Sequence, residues 1–157
     1  MMSAAVLPQD ELRELYRELI LDHARKPRHF GKLEQASHVA EGINPLCGDK
    51  LKLYLDIDAD AIIRNAAFEG SGCAISVASA SLLSETVIGM SADDALAFFE
   101  TILAALAGKD EQRSVELGKL SALMGVREYP SRVKCATLAW HALHSAIKDD
   151  SKPATTE

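Results

Sequence analysis

The sequence predicts an α+β domain in which a small three-stranded antiparallel sheet carries helices packed on one face. Residues 50–58 alternate strictly, Leu51, Leu53, Leu55 and Ile57 lying on one side and Lys52, Tyr54, Asp56 and Asp58 on the other, as in a half-buried strand. Other segments repeat apolar residues at the helical period of 3.6. With most of these helical segments following the strands, the helices collect on a sheet rather than alternating with its strands.

In chain order, a first helix is expected over Gln9–Arg25, where Leu12, Leu15, Tyr16, Leu19 and Ile20 recur at helical spacing; Asp10 and Glu11 suit the positive end of its dipole, and Pro27 stops it. Residues 37–43 are a weaker strand candidate. After the strand at 50–58, Asp58-Ala59-Asp60 turns the chain into a return strand at 61–69, carrying Ile62, Ile63 and Phe68. Gly70-Ser71-Gly72 then marks the entry to a helix beginning at Cys73, whose small side chains allow close packing. Ser91, followed three residues later by Asp94, resembles a capping box and opens a helix expected to stop at Gly108. A further helix is expected over 111–124, ending at Gly125. Tyr129-Pro130-Ser131 opens the last helix, with the stripe Val133, Ala136, Thr137, Trp140, Leu143 and Ile147. Residues 1–150 read as one domain and 151–157 as a disordered tail.

Composition narrows the function classes. Hydrophobic residues at 48% and charged residues at 25% are ordinary for a globular protein and exclude a fibrous repeat. The formal net charge of -6, without any Lys/Arg run, argues against nucleic-acid binding. Residues 1–8 have no basic segment leading an apolar one, and no stretch of about 18 apolar residues occurs. A cytoplasmic protein with no membrane association is therefore expected.

Three cysteines are an odd number, which argues against a closed disulfide framework. All three fall at element junctions: Cys47 between strands, Cys73 at a glycine-led helix start and Cys135 in the expected first turn of the last helix. Thiols at helix N-termini favour the thiolate, the form that binds metal or attacks sulfur, so Cys73 and Cys135 look chemically primed. In Asn44-Pro45-Leu46-Cys47-Gly48-Asp49, Pro and Gly make a stiff turn able to present Cys47 and Asp49 on one side. Together with Cys73 and Cys135 they offer three sulfurs and one carboxylate oxygen, a set suited to tetrahedral zinc. Three thiolates, a carboxylate and Zn²⁺ carry a formal charge of about -2, which calls for nearby cations. Lys50, Arg132 and Lys134 flank the ligands, and Arg132 shares a helix face with Cys135 as possible charge support. The alternative reading of these three is ordinary solvated surface charge, which has more weight for Lys50 than for Arg132.

The motifs Asn44-Pro45-x-Cys47-Gly48-Asp49, Gly72-Cys73-Ala74-Ile75-Ser76 and Arg132-x-x-Cys135-Ala136 resemble the three cysteine motifs of the IscU/NifU-type iron-sulfur assembly family. The resemblance includes the N-terminal segment 15–28 and covers the chain from about residue 10 to residue 148. The scaffold branch typically has His directly before the third cysteine, where this chain has Lys134, and the scaffold's proline-rich approach is missing. The segment 118–131 is similar to the extra region of the SufU branch. That closer resemblance implies a zinc-dependent sulfurtransferase with Cys47, Asp49, Cys73 and Cys135 as metal ligands. Cys47 would accept persulfide sulfur from a SufS-type cysteine desulfurase and pass it to downstream iron-sulfur assembly proteins. It further implies that a desulfurase histidine replaces Cys47 on the metal during docking and frees the thiolate.

Other readings stand beside it. The same ligands could build a transient iron-sulfur cluster as a scaffold, or hold a structural zinc in an interaction domain, the commoner role of closed four-ligand sites. The carboxylate points instead to a site built for exchange. A cysteine hydrolase would need a base, yet none of His23, His29, His38, His141 and His144 lies in a recognisable motif. His23 extends an apolar stripe and reads as a packed residue, His141 and His144 as incidental, and Trp140 and Tyr16 as core.

Overall fold

A computed structural model describes residues 9–107, 111–126, 129–149 and 154–155. Helix α1 (Gln9–Arg25) precedes strands β1 (His38–Asn44), β2 (Asp49–Ile57) and β3 (Ile63–Ser71), followed by α2 (Ala74–Val87) and α3 (Ala92–Leu106). A 3₁₀ segment (Glu111–Val126), α4 (Pro130–Ile147) and β4 (Ala154–Thr155) complete the described chain. The architecture is α+β, as the order of periodicities predicts.

The sheet runs β3-β2-β1-β4, with β2 antiparallel to both β1 and β3. It has four strands rather than three, because Ala154 and Thr155, placed by the sequence in an unstructured tail, pair in parallel with Gly42 and Ile43. Leu51, Leu53 and Leu55 are buried beneath α4, as alternation requires. Tyr54, expected on the solvent side, is buried as well: Lys52 Nζ covers its ring at 5.7 Å and its hydroxyl donates to Glu69. Burial, reinforced by Glu69, pushes that phenol up to about 12.

The turn after β2 is organised by Asp58, whose Oδ1 accepts the N–H groups of Asp60 and Ile62 at 2.9 and 3.0 Å. Helix α2 is the centre of the helical layer and packs against α1, α4 and β3. Its serines and alanines bring these neighbours close, and their hydroxyls find partners: Ser79 Oγ donates to Ala136 O at 2.5 Å and accepts Trp140 Nε1–H at 3.1 Å. Ser91 caps α3 through the Asp94 N–H at 3.0 Å, as its spacing predicts. That helix ends at Leu106, with Ala107 rather than Gly108 at its cap; residue 108 lies outside the described residues.

The segment expected as an α-helix over 111–124 winds as 3₁₀ and runs through Gly125 to Val126. Leu120, Leu123 and Val126 are buried in the common core. In α1, Tyr16, Leu19 and Ile20 face the core, but Leu15 is exposed because it lies off that stripe. His23 is a packed residue: 1% exposed, it shares a 2.7 Å hydrogen bond between Nδ1 and Ser81 Oγ. His141 and His144 pack against the Phe99 ring at 5.3 and 5.2 Å between centroids. No described helix is long and apolar enough to cross a membrane.

Candidate metal centre

The centre forms where three chain segments end at one edge of the sheet. Asn44 pairs with Asp49 as the last rung of the β1–β2 hairpin, leaving 45–48 as the turn. Asn44 O closes it by accepting the N–H groups of Gly48 at 2.9 Å and Cys47 at 3.3 Å. Gly48 has φ +74, a left-handed backbone conformation that favours glycine between the two candidate ligands, although space for a side chain is open there. Cys47 is left exposed at the tip, while Asp49 continues the Leu51–Leu53–Leu55 side of β2 and is 1% exposed.

The second segment is the β3–α2 junction. Cys73 is the N-cap of α2, as its glycine-led position predicts, and its Sγ accepts the Ser76 N–H at 3.4 Å. Its backbone N–H donates to Asp49 Oδ1 at 2.9 Å, and its Sγ lies 3.8 Å from Asp49 Oδ2. Gly72 lies against this carboxylate: a Cβ there would stand 2.8 Å from Asp49 Oδ1, so the carboxylate or the backbone would have to shift. The sequence marks Gly72 as a helix entry and misses this cradle.

The third segment is α4. Its first residue is Pro130, so Cys135 lies in the second turn rather than the first, beyond reach of the unpaired N–H groups. Buried at 3% exposure, its thiol is pushed well above the usual range by burial and by the facing Asp49, Cys73 and Cys47 groups, the opposite of the expected priming. Its Sγ lies 3.6 Å from Cys47 Sγ and accepts Asn44 Nδ2–H at 3.8 Å.

One donor atom from each of Cys47, Asp49 and Cys135 lies within 4.8 Å of the others; Cys73, the fourth expected ligand, stands outside that group, with its Sγ 3.8 Å from Asp49 Oδ2. The fit to a divalent cation is good on two grounds. Sulfur and carboxylate oxygen suit zinc, and Asp49 is a buried carboxylate without a Lys or Arg partner among the described residues, a charge that a cation would balance. Arg132, the candidate for charge support, has its guanidinium 5.9 Å from the Tyr129 ring centroid. Lys50 is exposed and Lys134 half-buried.

Residues 15–136 match the NifU-like N terminal domain family. The chain belongs to that family. A zinc-dependent sulfurtransferase SufU from Bacillus subtilis is 41% identical over 136 residues, which cover 87% of this chain and 91% of the relative. An iron-sulfur cluster assembly scaffold protein IscU from Streptococcus pyogenes is 41% identical over 138 residues, covering 88% and 86% of the two chains. Among solved structures, a hypothetical protein superposes with a TM-score of 0.80 at 40% identity, covering 87% of this chain and 98% of its own. A candidate iron-sulfur cluster assembly scaffold protein for the SUF system from Fervidobacterium islandicum AW-1 gives a TM-score of 0.75 at 36% identity, covering 86% and 98%. The IscU/NifU-type motifs of the sequence and the α+β fold thus agree with the comparisons. This NifU-like chain is similar at equal identity to relatives carrying two different functional names.

Proposed function

We propose that this chain is a zinc-dependent sulfur acceptor that takes persulfide sulfur on Cys47 from a SufS-type cysteine desulfurase for iron-sulfur cluster assembly, in the cytoplasm. The observation that carries the reading is the inequality of the sulfurs: Cys47 is exposed at a turn tip while its neighbour Cys135, 3.6 Å away, is buried. Cys47, Asp49, Cys73 and Cys135 are the ligands in this reading. Zinc held by these four residues would keep the Cys47 sulfur deprotonated and share its charge.

The chain's own residues provide the remainder. The Cys47 thiolate, once free, attacks the outer sulfur of the donor's persulfide. A new bond joins that sulfur to Cys47 Sγ, the donor's S–S bond breaks, and the donor cysteine leaves as a thiolate. Asp49, held by the Cys73 N–H, and the buried Cys135 keep the site assembled while Cys47 is away from it. Arg132 remains a candidate for charge support if its guanidinium leaves the Tyr129 ring on docking. Downstream iron-sulfur assembly proteins would receive the sulfur.

The scaffold reading is favoured by the IscU name of the S. pyogenes relative and uses the same four residues. One experiment separates them: zinc-loaded protein is incubated with a cysteine desulfurase and cysteine, then mapped for persulfide by mass spectrometry. Sulfur on Cys47 and faster desulfurase turnover support transfer. A stable coloured cluster from anaerobic iron and sulfide, with little stimulation of the desulfurase, supports the scaffold. If Cys47→Ser impaired folding and function to the same degree, the zinc would be structural.

A further inference from the structure

Asn44 is built unlike an ordinary turn residue. Its side chain is fully buried, continuing the Ala40 side of β1 into the metal centre. Nδ2 donates to Cys135 Sγ at 3.8 Å, while Oδ1 is buried without a hydrogen-bond partner among the described residues. An unpaired buried amide oxygen is unfavourable, so an apolar side chain of the same shape would suit this position better unless the amide N–H were needed. The turn does not need the side chain, because it is closed by the main-chain carbonyl of Asn44, which every substitution keeps.

The N–H groups reaching the three sulfurs are distributed unevenly. Cys73 Sγ accepts one from Ser76 and Cys135 Sγ accepts one from Asn44; among the described residues, Cys47 Sγ accepts none and touches Cys135 Sγ. An N–H on a thiolate takes up part of its charge, which steadies it as a ligand in a buried setting and lowers its nucleophilicity. We propose that Asn44 is a positioning residue that fixes Cys135 as a retained ligand and so leaves the exchangeable role to Cys47. This inference rests on the metal-centre reading above. It explains why an exposed sulfur and a buried one in contact would behave differently toward a partner.

The test uses the full chain, wild type, Asn44→Leu and Asn44→Ala, each loaded with Co²⁺ or Zn²⁺. Metal affinity is read by chelator competition, thiolate ligation by sulfur-to-cobalt charge-transfer absorbance, and sulfur lability by limiting iodoacetamide with peptide mapping. In the wild type, Cys47 is labelled first and Cys135 last. Asn44→Leu is expected to hold metal about 10- to 100-fold more weakly and to bring Cys135 labelling up toward that of Cys47. Its metal-free stability should be equal or higher, because the orphaned oxygen is gone. A merely structural residue would instead lose stability and affinity together. That result overturns the proposal, as does wild-type affinity and labelling order in both variants, or wild-type Cys135 reacting as fast as Cys47. If wild type itself lacked the charge-transfer absorbance, the metal-centre reading would fail first; if wild type had it and the variants were unchanged, Asn44 alone would be excluded. Should Asn44→Ala not fold, Asn44→Leu and the wild-type labelling order still decide.

Discussion

Gly72→Ala tests how the site is held. The added Cβ would stand 2.8 Å from Asp49 Oδ1, 3.1 Å from Cγ and 3.3 Å from Cβ, so rotating the carboxylate relieves the first contact and leaves the other two tight. Either the 71–73 backbone or the start of β2 has to shift, and Asp49 is pinned by the Cys73 N–H at 2.9 Å. Losing a hydrogen bond to a charged group costs about 1.5–3 kcal/mol. If that cost falls on the metal-bound form, zinc affinity drops roughly 10- to 150-fold, since each 1.4 kcal/mol is about tenfold. The assay is competition with a chromophoric chelator, with urea unfolding of the metal-free protein alongside. A Gly72→Ala protein that held zinc as tightly as the wild type would refute the idea that the Gly72 cradle positions Asp49 as a ligand.

Three more outcomes are expected. In the metal-free protein, Cys135→Ser should lower unfolding stability more than Cys47→Ser, by about 1–3 kcal/mol, because it puts a hydroxyl into a buried site where the other change is solvated; urea melts compare them. Trp140→Ala should cost about 3–5 kcal/mol, since the ring is fully buried and its N–H is held by Ser79, with the loss read in the same melts. Burial holds the His23 imidazole below its ordinary value, helped by Arg28 and opposed by Glu85, so the folded state binds fewer protons there than the unfolded state does. That contribution is present above the unfolded pKa of about 6.5 and lost as pH falls through the lower folded value. His23→Gln should therefore flatten the decline in stability below pH 6.5 or so, leaving the share that His141 contributes in the same direction.

Much of the fold was legible because single residues carry two signals at once. Pro27 follows the last residue of α1, Arg25, by two positions, Ser91 caps α3 with the predicted N–H, and the 50–58 alternation matches the β2 ladder. What escaped lacked a pattern: β4 is a two-residue pairing in a polar tail, and nothing local tells a 3₁₀ winding over Glu111–Val126 from an α-helix. Tyr54 is buried by its own neighbours on the strand face rather than by an apolar layer. The four candidate ligands were readable as junction residues with the right donor atoms. Cys135 was placed one turn too early, because Tyr129-Pro130 fixes where α4 starts and the cysteine lies five residues beyond the proline. Asn44 was seen only as part of a turn, although its place two residues after Gly42 and four after Ala40 was the available sign that it faces the core.

The most direct test of the four-ligand centre is zinc-edge X-ray absorption on the zinc-loaded wild type and on the Cys47→Ser variant. The wild type should give three sulfurs at about 2.3 Å and one oxygen at about 2.0–2.2 Å, and the variant should lose a single sulfur while keeping the other three ligands. A first shell of nitrogen and oxygen alone, or a variant whose sulfur count is unchanged, would contradict the account.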